Sequence, residues 1–319
     1  MALTTTFTKL LEAEHPIALA PMGGSAGGVL AAAVSNAGGL GLIGVGRGDA
    51  TWMDREVALV VARTPKPWGI GFQSWATDVS TVERALAHGP SAVMLSFGDP
   101  GDLAAAIVGS GALLMVQVVD MAEARRAVEV GADVIVAQGT EAGGHGGTRA
   151  TLPFVPAVVD VTSPIPVLAA GGIADGRGLA AVLALGAAGA LVGTRFQAST
   201  EALVDAEVVK AILEGHGEDT ERSRVLDIAR ASRWPSRYTG RTLRNEFLDQ
   251  WRDREAELED DEGAIAAYRD AARKGDMRAV AVWASEAIDL ITDAPSAGDI
   301  VRQMSGDAAE VMRRVLAAS

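Results

Sequence analysis

The chain has 319 residues, 49% of them apolar, and a net charge of −13, so it can bury a large core and offers no basic stripe with interleaved aromatics for nucleic acid. It contains no cysteine, which excludes disulfides, thiolate nucleophiles and iron–sulfur clusters. The acidic balance favours solubility and points to no particular function.

The chain opens MALTTTFTKL, without a basic region followed by an apolar stretch, so no signal peptide is predicted. The most apolar segments, such as Leu179–Val192, are rich in Ala and Gly and shorter than a membrane span. A cytoplasmic protein without a membrane partner is expected. Eight short Val/Ile/Leu-rich runs then follow in order: Ile17–Met22, Leu40–Gly46, Trp68–Ser74, Ala92–Phe97, Leu113–Val118, Val134–Gly139, Pro166–Gly172 and Ala190–Phe196. Their starts lie 21 to 32 residues apart, the length of a strand–helix unit with short loops. The runs are nearly continuous and not alternating, as expected of parallel strands covered on both faces. Between them Val82–Ala87, Met121–Val130 and Gly178–Leu185 carry apolar residues at helical spacing, with Gly89, Gly131 and Gly186 placed as C-terminal caps.

After Phe196 the character changes. From about Ala206 to Ala284 the chain is rich in Arg, Glu and Asp, holds Trp234, Trp251, Trp283 and both tyrosines, and shows helical periodicity without strand-like runs. Charge clusters such as Glu255–Glu262 read as a solvated helix face. A helix from about Ala297 to Ala318 closes the chain. The predicted architecture is α/β: a parallel (β/α)8 TIM barrel over residues 1–205, a helical insertion after strand 8 over 206–284, and a segment over 285–319 that returns to the barrel. An open doubly wound sheet is the alternative, because periodicity does not show closure.

Barrels of this kind place function on the loops that follow their strands. Strand 1 delivers Ala20, Pro21, Met22 and Gly23 there; strand 3 delivers Gln73, strand 5 Gln117, and strand 6 the run EAGGHGG from Glu141 to Gly147. Strands 7 and 8 end in Gly171-Gly172 and Gly193-Thr194. Paired Gly-rich turns at those two positions let main-chain amides converge on a phosphate, although the same glycines would serve if the chain only turned tightly. Of four histidines, His15, His88 and His216 fall outside the strand-end loops, whereas His145 stands between glycine pairs after strand 6. An imidazole there is placed to accept a proton near neutral pH. No cluster with metal-ligand spacing accompanies it, so no metal is expected. Glu141 is the carboxylate near it in sequence, without a second to form a glycosidase pair. Lys9, Lys66, Lys210 and Lys274 all lie away from strand ends, which disfavours a Schiff-base aldolase. Trp234, Tyr238, Trp283, Ser285 and Glu286 are candidates to line the active site from the insertion, unless the aromatics are simply its core.

APMGG, SNAGGLGLIG (Ser35 to Gly44), AQGTEAGGHGG (Ala137 to Gly147), AAGGIADG (Ala169 to Gly176) and GTRF (Gly193 to Phe196) together resemble the nitronate monooxygenases, formerly called 2-nitropropane dioxygenases. WPSRYTGRTLRN (Trp234 to Asn245) resembles the family's insertion segment. The resemblance implies bound FMN, its phosphate against Gly171, Gly172, Gly193 and Thr194 and its ring over the Met22–Gly23 loop, with Gln73, Gln117 and Gly143 at the ring edge or ribityl chain. It implies that His145 is the catalytic base, that a nitronate is oxidised by dioxygen to a carbonyl compound and nitrite, and that the partners are a small-molecule substrate and dioxygen, with a homodimer admissible. The same motifs are similar to NAD(P)H-dependent flavin reductases of quinones or enoyl thioesters, which are the alternative; a 2-hydroxyacid oxidase and a non-catalytic flavin binder come after. Relatives often carry Asn near the end of strand 3, where this chain has Gln73, and a Lys on strand 5, where it has Gln117. A neutral amide stabilises an anionic reduced flavin less than an ammonium does. The flavin potential should therefore rise in Gln117→Lys, as measured by anaerobic reductive titration; an unchanged potential contradicts this.

Overall fold

The structure, a computed structural model, describes residues 3–317. The eight predicted runs are strands: β1 (Ile17–Leu19), β2 (Gly41–Gly46), β3 (Trp68–Gln73), β4 (Ala92–Ser96), β5 (Leu113–Val118), β6 (Val134–Gln138), β8 (Val167–Ala170) and β9 (Gly189–Val192), with a short β7 (Gly144–Gly146) set between β6 and β8. The eight long-run strands form one parallel sheet in the order β1-β9-β8-β6-β5-β4-β3-β2. A bridge between Ala18 and Leu40 joins its two ends, and Leu40 exchanges 2.9 Å backbone hydrogen bonds with Ile17 and Leu19 there. The sheet is thus a TIM barrel and not an open one.

Side chains alternate along each strand. Ala18, Leu42, Met94, Met115, Val136, Leu168 and Leu191 fill the lumen. Their neighbours Ile17, Ile43, Val93, Leu95, Ile135 and Val192 pack outward under the helices. The helix Thr6–Leu11 caps the end away from the strand C-termini: Phe7 and Leu11 join the lumen cluster, and Thr5 Oγ1 donates to the Ala188 carbonyl at 2.6 Å. Each strand–helix unit is closed by the residues expected of it. Asp78, Asp120 and Asp175 cap helices Val79–Leu86, Met121–Glu129 and Gly176–Ala184, and Gly89, Gly131 and Gly186 follow them. The C-terminal helix Ala297–Ala317 buries Ile300, Val301, Met304 and Ala308 against the barrel's outer layer; Ala318, expected to end it, lies outside the described residues. No helix among the described residues is long and apolar enough to cross a membrane.

The segment between β9 and that helix corrects one expectation. Its regular structure is mostly helical, but it also contributes β10 (Thr220–Ser223) and β11 (Thr239–Leu243). These two pair antiparallel, and β11 pairs antiparallel with β7, placing Gly240 opposite His145. The insertion has a core of its own, including Val225, Leu226, Leu248, Trp251, Leu258 and Tyr268.

Helix Gly28–Asn36 lies so close to β2 that a Cβ on Gly41 would fall 1.9 Å from the Ala31 carbonyl oxygen. Gly41→Ala should therefore lower stability by about 2 kcal/mol, read as an earlier midpoint in urea unfolding; an unchanged midpoint contradicts this packing.

Candidate active site

The C-terminal rim of the barrel and the insertion enclose a cavity of about 480 Å³, a size in the usual range for small-molecule and cofactor sites. The candidate site residues line it: Ala20, Pro21, Met22 and Gly23 after β1, Gln73 and Gln117 at the ends of β3 and β5, Gly143 and His145 around β7, Gly171 and Gly172 after β8, and Gly193 and Thr194 after β9; of the run Glu141 to Gly147, Glu141, Gly146 and Gly147 do not. Arg47, Arg195, Arg230, Gln138, Trp234, Trp283 and Ser285 complete much of the wall, and among the described residues no carboxylate is in it.

His145 owes its position to the insertion. Its strand, β7, is only three residues long and two of them are glycine, so pairing with β11 and side-chain donors hold it. Gln138 Nε2 donates to the His145 carbonyl at 3.0 Å, and Gln117 Nε2 donates to Gln138 Oε1 at 3.1 Å. Below the loop, two arginines from β10 and β11 collect its carbonyl oxygens. Arg222 donates to Thr140 at 3.0 Å, Ala142 at 2.8 Å and Gly144 at 3.3 Å, and also to Thr239. Arg241 Nε reaches the Thr140 carbonyl at 2.9 Å, and its guanidinium pairs with Glu286 at 2.7 Å. Burial and the neighbouring Arg241 push Arg222 down to about 10, which leaves it charged at neutral pH.

The imidazole itself is enclosed on three sides. Trp234 stacks on it with ring centroids 3.6 Å apart and planes 6° from parallel, and Trp283 tilts against it at 5.2 Å. Gly240 permits this: a Cβ there would meet the Trp283 ring at 2.6 Å. Nε2 lies 2.7 Å from Asp227 Oδ2, and both side chains are 7% exposed. Burial holds the His145 pKa below the ordinary histidine value, against the opposing pull of Asp227.

On the opposite wall, Gly171 and Gly172 adopt φ of +99° and +73°, a backbone region that favours glycine. Ser285 knits these loops together. Its hydroxyl accepts from the Gly172 amide at 3.3 Å and donates to the Glu141 carbonyl at 2.7 Å, while its amide donates to Thr194 Oγ1 at 3.1 Å. Gln73 Oε1 and Gln197 Oε1, both on residues of the lining, are buried without a hydrogen-bond partner.

Glu141, near His145 in sequence, turns away from it, accepting from the Thr151 amide at 2.9 Å and from its hydroxyl at 2.6 Å; the carboxylate on the imidazole is Asp227. Of the insertion candidates, Trp234, Trp283 and Ser285 reach the cavity, whereas Tyr238 and Glu286 do not line it. Tyr238 instead fastens the insertion to the barrel, its hydroxyl donating to Glu123 at 2.7 Å and accepting from the Gly98 amide at 2.9 Å. Arg47, Arg230 and Asp227 were not singled out by the sequence. Gln138 was read as ending strand 6 but given no role, although it ends a barrel strand as Gln73 and Gln117 do.

Comparison with known proteins points the same way. A family model described as nitronate monooxygenase matches residues 4–74 and 70–307. A nitronate monooxygenase of Neurospora crassa is 33% identical over 99% of this chain and 95% of its own length. Among solved structures, FabK from Thermotoga maritima superposes with a TM-score of 0.88 at 29% identity, covering 99% of this chain and 100% of that one. A nitroalkane oxidase from Streptomyces ansochromogenes gives 0.83 at 27%, covering 98% and 100%.

Because Arg222 alone serves several carbonyls of the His145 loop, Arg222→Gln should cost on the order of 2 kcal/mol and accelerate amide hydrogen exchange across residues 140–146. Unaltered protection there contradicts the role given to this guanidinium.

Proposed function

The chain belongs to the nitronate monooxygenase family and is a flavin-dependent oxidoreductase, and from this premise we propose that it binds FMN and oxidises nitronates and nitroalkanes with dioxygen, giving a carbonyl compound and nitrite, with His145 as the base. The observation that carries the reading is the largely buried imidazole at a cavity whose wall has three arginines and, among the described residues, no carboxylate. A chain of net charge −13 has here gathered a cationic lining, which suits an anionic phosphate on one side and an anionic nitronate on the other.

The residues present fit the cofactor. Gly171 and Gly172 keep the floor free of side chains where a phosphate would approach backbone amides. The unpartnered Gln73 Oε1 can accept from a ring N–H. When bound, FMN would supply the electron acceptor. The protein's own part is acid–base and electrostatic. A nitroalkane C–H is acidic because the nitro group takes the carbanion charge onto its oxygens, so one neutral imidazole is sufficient to remove the proton. Arg47 and Arg230 at the cavity wall then face the developing negative charge. Trp234 covers one face of the His145 ring and Trp283 lies against its edge, which limits the access of water to the base.

Anaerobic mixing tests the proposal. A nitronate should bleach the flavin absorption of the purified protein quickly, and NADH or NADPH slowly; the reverse order would assign the chain to the reductases. His145→Ala should retain FMN and lose nitroalkane turnover by about 100-fold or more. Full activity in that variant contradicts the assignment of the base.

A further inference from the structure

We infer that Asp227 is a positioning residue for this reaction: it holds His145 as the Nε2–H tautomer, so that the lone pair facing the cavity is on Nδ1. The inference rests on the reading of His145 as the base and specifies how that base is prepared. A carboxylate accepts hydrogen bonds and donates none, so the 2.7 Å contact between Asp227 Oδ2 and Nε2 requires the proton on Nε2. Neutral imidazole then has its acceptor at Nδ1. No hydrogen-bond partner for Nδ1 is found among the described residues, and His145 lines the cavity.

The arrangement leaves little freedom to either partner. Asp227 Oδ1 is taken by Arg230 Nη2 at 3.0 Å, so each carboxylate oxygen has one task. Arg230 is held in turn by the Leu226 carbonyl at 3.1 Å and by the Trp283 ring, 4.8 Å from its centroid. Turning the imidazole over would break the Asp227 bond, and the parallel Trp234 ring blocks any tilt. The charged groups that act on the ring are Asp227 and Arg230 from the segment following β10 and Arg222 from β10 itself; only Asp227 favours the protonated form. When a nitroalkane reacts, its C–H bond breaks, the electron pair moves into the nitro group, and the proton goes to Nδ1. Asp227 then faces an imidazolium and stabilises it.

The experiment has two arms. In the first, 15N-histidine-labelled wild-type protein is studied by NMR without substrate, the signal of His145 among four histidines being identified by its loss in His145→Gln. Nε2 should resonate as a protonated nitrogen and Nδ1 as an unprotonated one; the opposite pattern overturns the inference. In the second, Asp227→Asn is compared on a nitroalkane, which must lose a proton, and on the preformed nitronate, which has already lost it. The kcat/KM for the nitroalkane should fall by about 100-fold or more and that for the nitronate by much less. The acid limb of the nitroalkane profile should also move to lower pH, since the anion that favoured imidazolium is gone. Equal losses on both substrates with an unmoved limb would make Asp227 merely structural and overturn the inference. Should wild-type protein show the expected tautomer yet turn over neither nitro substrate, the proposed reaction falls while the role of Asp227 in fixing the ring stands.

Discussion

The pairing of β7 with β11 is the constraint on which the site depends. A loop reading Gly-Gly-His-Gly-Gly has almost no side-chain packing of its own, and on an open barrel rim its conformational entropy would leave the imidazole unplaced. Antiparallel hydrogen bonds to an element almost a hundred residues further along the chain give it a register. The arginines of β10 and β11 then satisfy the carbonyl oxygens that such a loop turns inward. Once the backbone is held, the side chain can be surrounded, and it is surrounded by the insertion: Trp234 on one face, Trp283 at the edge, Asp227 at Nε2.

Two halves of the molecule therefore contribute unlike parts. The barrel provides a rim of glycines and amides, suited to an anion and to a flat ring laid close to the main chain. The insertion provides the titratable group's environment and one cationic side chain of the wall, Arg230; of the other two, Arg195 is tied to Asp293 and Arg47 bonds Ser232 of the insertion. The low exposure of the His145–Asp227 pair matters here. In water such a pair would be screened and of small value, whereas in this enclosure it decides which nitrogen carries the proton.

Much of this was legible in the sequence, for physical reasons that can be named. Parallel barrel strands are covered on both faces and so appear as short apolar runs. The rule that function follows strand ends then selected Gln73, Gln117, His145 and the glycine turns without reference to structure, and the structure gathers them around one cavity. What was not legible depends on pairing across long separations. Thr220–Ser223 and Thr239–Leu243 read TERS and TGRTL, with charges and a glycine where a strand usually has branched apolar residues; they are strands because β7 and each other's backbones need partners. Asp227 stands 82 residues from His145 within a charged segment that reads as a solvated helix. Glu141, four residues from His145 and the natural candidate by proximity, is claimed by the amide and hydroxyl of Thr151. Sequence nearness does not identify the partner of the imidazole, because side-chain direction in a glycine-rich loop is set by its distant partners.

A crystal structure of the protein with FMN decides whether the rim and the imidazole serve one site. The phosphate should lie against the Gly171–Gly172 and Gly193–Thr194 turns, and the ring in the same cavity as the imidazole, with Nδ1 of His145 open toward it and Nε2 still on Asp227. FMN seated away from those turns, or an imidazole released from Asp227 and turned out of the cavity, would contradict it.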